Sequence, residues 1–119
     1  MRISVIGTGY VGLVSGTCFS EMGNIVTCVD IDKDKINKLN QGVIPIYEPG
    51  LDSLIQSNLK NKNLFFSSNI EESIKTSTII FIAVGTPMSD DGSADLKYVY
   101  EVARVIGSSI DKNVVVVNK

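Results

Sequence analysis

The chain has 119 residues, 44% hydrophobic and 20% charged, which is enough for one globular domain with its own core. Its net charge of -2 and its scattered basic residues argue against nucleic-acid binding, and no apolar run is long enough to cross a membrane. There is no histidine, and Cys18 and Cys28 alone provide no zinc-ligand set, so we expect no metal and two reduced core cysteines in a cytoplasmic protein.

Hydrophobic periodicity predicts strands and helices that alternate along the whole chain. In chain order, the predicted elements are a strand over 2–6, a helix over 9–22, a strand over 25–29, helices over 33–40 and 51–59, a strand over 64–67, a helix over 70–75, a strand over 78–84, a helix over 96–107 and a strand over 113–117. The pattern predicts an α/β fold, a doubly wound, Rossmann-type parallel sheet with helices on both faces. Because such sheets normally continue beyond a fifth strand, we expect residues 1–119 to be an incomplete domain, truncated after that strand.

Side chains near the helix ends support these boundaries. Asp32, Asn69 and Asp95 each precede a predicted helix and are residue types that cap helix N-termini. In the first helix, apolar side chains recur at helical spacing, the pattern of an amphipathic helix, at Val11, Val14, Cys18 and Met22.

A glycine-rich turn joins the first strand to the first helix. Gly7, Gly9 and Gly12 form G-x-G-x-x-G, in which the first glycine permits the turn, the second leaves room for a pyrophosphate, and the third lets helix and strand approach closely. The triplet alone also fits a purely structural turn. Asp30, at the end of the second strand, favours a dinucleotide site, because its carboxylate can accept both ribose hydroxyls. The same charge repels a 2′-phosphate, so the sequence predicts NAD rather than NADP.

Other polar residues near this edge of the sheet leave alternatives open. Lys35 lies about one helical turn beyond the acidic residue, and its spacing alone favours a solvated side chain over a ribose contact. Gly85 and Thr86 begin the loop after the fourth strand, where Gly85 allows close backbone approach and Thr86 is placed to touch the nicotinamide half, although turn-forming residues also fit a helix-entry loop. Glu48 precedes a Pro-Gly turn and is given no catalytic role.

No catalytic residue is predicted within the chain. Oxidation of an alcohol needs a base, usually histidine or a tuned lysine or tyrosine, and the sequence shows no credible set. Cys18 and Cys28 lie within apolar stretches and are interpreted as core residues rather than nucleophiles.

Four stretches resemble, in the same order, the UDP-glucose/GDP-mannose dehydrogenase family: MRISVIGTGYVGL, VDIDKDKINKLNQG, IPIYEPGLDSLI and FIAVGTPMSDDGSADLKYV. The resemblance implies the N-terminal NAD-binding domain of an enzyme that oxidises the C6 alcohol of UDP-glucose to a carboxylate with two NAD+, as a homo-oligomer at full length. It also implies that the glycine turn with Tyr10 and Val11 surrounds the pyrophosphate. Asp30 and Lys35 would then hold the adenosine ribose, and Thr86 would contact the cofactor near the nicotinamide.

Two alternatives remain at this point. Family members acting on GDP-mannose or a UDP-N-acetylhexosamine share these motifs, since the sugar is selected largely by residues outside this segment. A stand-alone NAD-sensing regulatory domain would need the glycine turn and the acidic residue, but it has no evident use for the EPGL segment or the GTP loop.

Overall fold

The structure, a computed structural model, describes residues 1–85, 90–92 and 96–118. In chain order its elements are β1 (Arg2–Ile6), α1 (Tyr10–Glu21), β2 (Ile25–Val29), α2 (Lys33–Asn40), α3 (Leu51–Lys60), β3 (Leu64–Ser67), α4 (Ile70–Thr76), β4 (Ile79–Ile82), α5 (Lys97–Ser109) and β5 (Val115–Asn118). Every strand and helix predicted from the sequence is present.

The strands form one parallel sheet in the order β3-β2-β1-β4-β5, with helices on both faces, which confirms the predicted doubly wound fold. Because successive side chains of a strand point to opposite faces, Val5 of β1 joins one core cluster and Ile6 the other. Buried hydrophobic residues of α1, α2 and α3 belong to the first cluster, and those of α4 and α5 to the second. The strand order reverses between β1 and β4, the position at which such sheets bind ligands.

Two of the predicted N-caps are confirmed. The Asp32 carboxylate accepts a hydrogen bond from the Lys35 N–H at 3.1 Å, and the Asn69 side chain accepts one from the Glu72 N–H at the same distance. Asp95 lies outside the described residues.

The fourth strand is shorter than predicted and covers Ile79–Ile82 instead of 78–84. Its neighbour β1 ends at Ile6, whose carbonyl accepts the Ala83 N–H at 2.8 Å, and the chain of β1 then turns away at Gly7. Beyond Ala83 the described part of the chain has no partner strand on the β1 side, so the hydrogen bonds between β1 and β4 end there.

The first helix buries mainly a different face from the one that its predicted apolar stripe indicated, although Val14 of that stripe packs against the core. Val11 and Met22 are 47% and 76% exposed, and the prediction that Cys18 is a core residue was wrong, because it too is exposed. The buried positions of α1 are Gly12, Leu13, Gly16, Thr17 and Ser20. Small residues on that face let the helix lie so close to the sheet that a Cβ on Gly16 would meet the Cys28 Sγ at 2.5 Å. Cys28 is fully buried, as predicted.

No helix in the described part of the chain is both long and apolar enough to span a membrane.

Candidate functional site

The register of the sheet brings three chain segments to one edge. Ile6 of β1 pairs with Val29 of β2 and with Ile82 of β4, so these strands end at the same level. The Gly7 N–H donates to the Val29 carbonyl at 2.7 Å, which fixes the glycine turn against the end of β2. A cavity of about 740 Å³ opens at this edge, within the size range of small-molecule and cofactor sites.

The three glycines of the turn meet different surroundings. Gly7 has a φ of +108°, and a Cβ there would lie 2.6 Å from the Ala83 carbonyl oxygen. A Cβ on Gly12 would lie 1.9 Å from the Gly7 oxygen, whereas one on Gly9 would meet no described atom within 4 Å. Gly7 and Gly12 are therefore required by the fold, and Gly9 keeps open a space beside the cavity that a side chain would enter.

The N-terminus of α1 forms one wall of this cavity. Gly9 is its N-cap, supplies no side-chain cap, and lines the cavity together with Tyr10 and Val11. The first N–H groups of an α-helix have no partner inside the helix, and they carry the positive end of the helix dipole. With no acidic residue in the first turn, this wall is suited to a phosphate group.

Asp30 lies beside the turn, and its carboxylate has several donors. Its Oδ2 accepts the Thr8 hydroxyl at 2.6 Å and the Thr8 N–H at 3.2 Å, while its Oδ1 accepts the Asp32 N–H at 3.1 Å. The Lys35 ammonium lies 3.8 Å from Oδ2. Burial by itself would raise the pKa of Asp30, but the Thr8 and Asp32 hydrogen bonds and the Lys35 charge outweigh it, so the pKa lies below its ordinary value. The group is thus a carboxylate at neutral pH.

Most of the predicted site residues lie around this cavity, namely Gly7, Gly9, Tyr10, Val11, Asp30, Lys35 and Gly85. Gly12 does not line it and lies beneath the turn instead. Thr86 lies outside the described residues. The structure brings Lys35 to the carboxylate, which the spacing alone did not favour.

Sequence reasoning missed Thr8 and the wall contributed by α5. Thr8 is fully buried and touches Asp30, and the available signal was a hydroxyl residue between two glycines at the end of β1, next to the strand that ends at Asp30. The α5 residues that line the cavity are Tyr98, Glu101, Val102 and Val105. They come from a helix distant in sequence, which no local motif marks as part of the site.

Glu48 makes a side-chain contact with α1 that its sequence context, a Pro-Gly turn, did not indicate. The Tyr10 hydroxyl donates a hydrogen bond to its Oε2 at 2.8 Å, and this carboxylate raises the pKa of Tyr10 through that bond and its charge. The segment before α3 is thereby tied to the start of α1.

The site combines a helix N-terminus suited to an anion with a carboxylate that can accept a hydrogen bond from a hydroxyl group, and apolar residues line the cavity around both. This donor and acceptor set fits a dinucleotide, with its pyrophosphate at Gly9 and a ribose at Asp30. Among the described residues, no three His, Cys, Asp or Glu side chains could together hold a metal ion. Burial raises the pKa of Cys28 to about 12, so its thiol is not a nucleophile at neutral pH.

A family model and a curated relative each match the chain over nearly its whole length. A family model described as the NAD binding domain of the UDP-glucose/GDP-mannose dehydrogenase family matches residues 1–119. The UDP-glucose 6-dehydrogenase TuaD of Bacillus subtilis is 57% identical over 118 residues, which are 99% of this chain and 26% of that protein.

Two solved structures have the same fold as this chain. A ternary complex of GDP-mannose dehydrogenase from Pseudomonas aeruginosa superposes with a TM-score of 0.95 at 40% identity, covering 99% of this chain and 28% of that one. A UDP-D-ManNAc dehydrogenase from Pyrococcus horikoshii gives 0.92 at 34% identity, with the same coverage. The chain spans about a quarter of the length of the curated relatives that it matches.

Proposed function

Because the chain belongs to the UDP-glucose/GDP-mannose dehydrogenase family and matches its NAD-binding domain, we propose that it is the N-terminal, cofactor-binding part of a UDP-glucose 6-dehydrogenase. The whole enzyme would oxidise the C6 alcohol of UDP-glucose to the carboxylate of UDP-glucuronate. Bound NAD+ supplies the hydride acceptor, and two NAD+ are reduced for each sugar. The catalytic residues and the rest of the sugar site would lie in other parts of that enzyme.

The observation that carries the cofactor-binding part of this proposal is the position of the Asp30 carboxylate beside the glycine turn. Backbone N–H groups at Tyr10 and Val11 would bind the pyrophosphate, because they open α1 next to the space beside Gly9. Asp30 and Lys35 would hold the adenosine ribose by accepting from and donating to its hydroxyls.

The nicotinamide half would lie toward the end of β4. Gly85 lines the cavity there, and a Cβ on it would meet no described atom within 4 Å, so the backbone is open to a ligand. Thr86, the next residue, would add a hydroxyl contact near the nicotinamide. These groups would orient the cofactor, and we expect the base that takes the proton of the alcohol to come from another part of the enzyme.

The charge of Asp30 favours NAD over NADP, because a 2′-phosphate would lie against a carboxylate that stays ionised. Titration of the chain by calorimetry with each dinucleotide tests this. We expect NAD to bind at least about tenfold more tightly, a difference of about 1.4 kcal/mol. Equal affinities would contradict the role given to Asp30.

The identity of the sugar rests on the relatives. Curated relatives with 57% and 47% identity carry the name UDP-glucose 6-dehydrogenase, whereas the GDP-mannose and UDP-D-ManNAc dehydrogenase structures are 40% and 34% identical. Initial rates of NADH formation by the full-length protein with UDP-glucose, GDP-mannose and UDP-N-acetylmannosamine decide between them. Faster turnover of either of the last two sugars would overturn the choice of UDP-glucose.

We place the enzyme in the cytoplasm and expect it to be a homo-oligomer at full length. Free thiols at Cys18 and Cys28 suit a reducing compartment. Sedimentation of the full-length protein tests the oligomeric state, and a monomer would contradict it.

A further inference from the structure

Thr8 has two points of attachment to the same carboxylate oxygen. Its hydroxyl donates to the Asp30 Oδ2 at 2.6 Å, and its backbone N–H donates to that oxygen at 3.2 Å. The side chain is fully buried between Gly7 and Gly9, whereas the Asp30 side chain keeps 18% of its surface exposed toward the cavity. A buried residue of the turn therefore holds the acidic residue that faces the ligand.

The acceptor capacity of Asp30 is then largely used. A carboxylate offers about four lone-pair positions, two on each oxygen. Thr8 takes both positions on Oδ2, and the Asp32 N–H takes one on Oδ1 at 3.1 Å. One position on Oδ1 remains, so the carboxylate as held here can accept one ribose hydroxyl rather than the two that the sequence pattern allows.

We propose that Thr8 is a positioning residue for the ribose: by occupying Oδ2 it leaves Oδ1 of Asp30 for one hydroxyl and assigns the other hydroxyl to the Lys35 ammonium. The ammonium lies 3.8 Å from Oδ2, near enough to belong to the same ribose site and longer than a hydrogen bond, so its donors are available. The inference rests on the proposed binding of NAD in this cavity.

Other charged groups around Asp30 do not replace Thr8. Asp32 has its own carboxylate engaged in capping α2, Lys35 approaches from the same helix, and Glu101 of α5 lines the same cavity. The Thr8 hydroxyl makes the largest contribution among those that lower the pKa of Asp30. Without it, the pKa of Asp30 would be higher, because the effect of burial would be opposed only by the two backbone hydrogen bonds and the Lys35 charge, and the carboxylate would be held less firmly.

Thr8→Val removes the hydroxyl at nearly constant shape, and Thr8→Ser restores it. Calorimetric titration of the chain with NAD across the acid range should show an affinity loss of up to about tenfold for Thr8→Val, because binding must then order a carboxylate that Thr8 no longer fixes, at a cost of about one side chain. The acid-side fall in affinity should also begin at a higher pH, because the ionised carboxylate is then less stabilised. Thr8→Ser should bind as the wild type does, and thermal unfolding checks that each variant is folded.

Deoxy analogues of NAD, lacking the 2′ or the 3′ hydroxyl of the adenosine ribose, give a second test that leaves Thr8 intact. The analogue that lacks the hydroxyl accepted by Oδ1 should bind Asp30→Asn as well as it binds the wild type, because the contact is already missing. The analogue that lacks the hydroxyl bound by Lys35 should bind Lys35→Met as well as it binds the wild type. If Asp30→Asn weakens both analogues equally, the carboxylate holds both hydroxyls and the inference is overturned.

The results separate the inference from the function on which it rests. A wild-type chain that does not bind NAD overturns both. A wild-type chain that binds NAD while Thr8→Val binds it equally well overturns the role of Thr8 and leaves the proposed function standing. An affinity loss without a shift of the pH profile, or without rescue by Thr8→Ser, shows a general disturbance of the turn and also overturns the positioning role. If Thr8→Val does not fold, the analogue titrations decide.

Discussion

Replacing Gly9 by alanine should leave the fold intact and weaken NAD binding, whereas replacing Gly12 by alanine should destabilise the fold itself. Both glycines belong to one turn and change by the same single methyl group. Their surroundings differ, because a Cβ on Gly12 would lie 1.9 Å from the Gly7 carbonyl oxygen and one on Gly9 would meet no described atom within 4 Å.

The expected free energies of unfolding follow from these contacts. At Gly12, alanine gains about 1 kcal/mol of helix propensity, but a collision with backbone costs about 3 kcal/mol or more, so the net loss is about 2 kcal/mol or more. At Gly9, whose φ of −73° suits any residue, the loss of the preferred N-cap costs about 0.5–1 kcal/mol. Lower entropy of the unfolded chain returns about 0.4–1 kcal/mol, so Gly9→Ala should be nearly neutral.

Urea denaturation and calorimetric titration with NAD measure the two effects separately, with the wild type as the common reference. Gly9→Ala should bind NAD about 10- to 100-fold more weakly, the equivalent of one lost hydrogen bond to a phosphate. Wild-type affinity in Gly9→Ala would refute the placement of the pyrophosphate at this position. Wild-type stability in Gly12→Ala would refute the close packing of the turn on α1.

Two further predictions concern the face of α1 that packs on the sheet and its cysteine. Gly16→Ala should lower the free energy of unfolding by about 1 kcal/mol, since its Cβ would lie 2.5 Å from the Cys28 Sγ. In a double-mutant cycle measured by denaturation, Cys28→Ala should recover part of this loss, and additive losses would contradict the contact. Cys18 should react with a thiol reagent in the folded chain and Cys28 only after unfolding, because Cys28 is buried and its burial raises its pKa to about 12. Mass spectrometry of Cys18→Ser should therefore show no label before unfolding.

The order of elements and two of the helix caps were predictable because their signals are local. Asp32 and Asn69 cap the helices that follow them, and each bond spans three residues. Asp30 was predictable as part of the cavity because the glycine turn and the end of β2 share a known spacing. Whether its carboxylate binds ribose remains a prediction.

The buried face of α1 was predictable only in part: Gly12 was expected to let helix and strand approach closely, and it is buried there. Periodicity indicated a stripe of Val11, Val14, Cys18 and Met22, of which Val14 packs against the core and the other three are exposed. The sheet instead contacts the face with Gly12 and Gly16. Which face of the helix is buried depends on how closely the helix can approach the sheet. Small residues allow the closest approach, although they contribute little apolar area of their own.

The sequence by itself determined an alternating α/β chain with a glycine-rich turn and an acidic residue at the end of the second strand, since strand and helix periods, caps and glycines act over a few residues. Only the tertiary structure decided that Thr8 holds Asp30, that Lys35 lies beside that carboxylate, and that α5 forms the far wall of the cavity. Those contacts arise from strand register and helix packing, which bring together groups far apart in the chain, and no local pattern of residues specifies the distances between them.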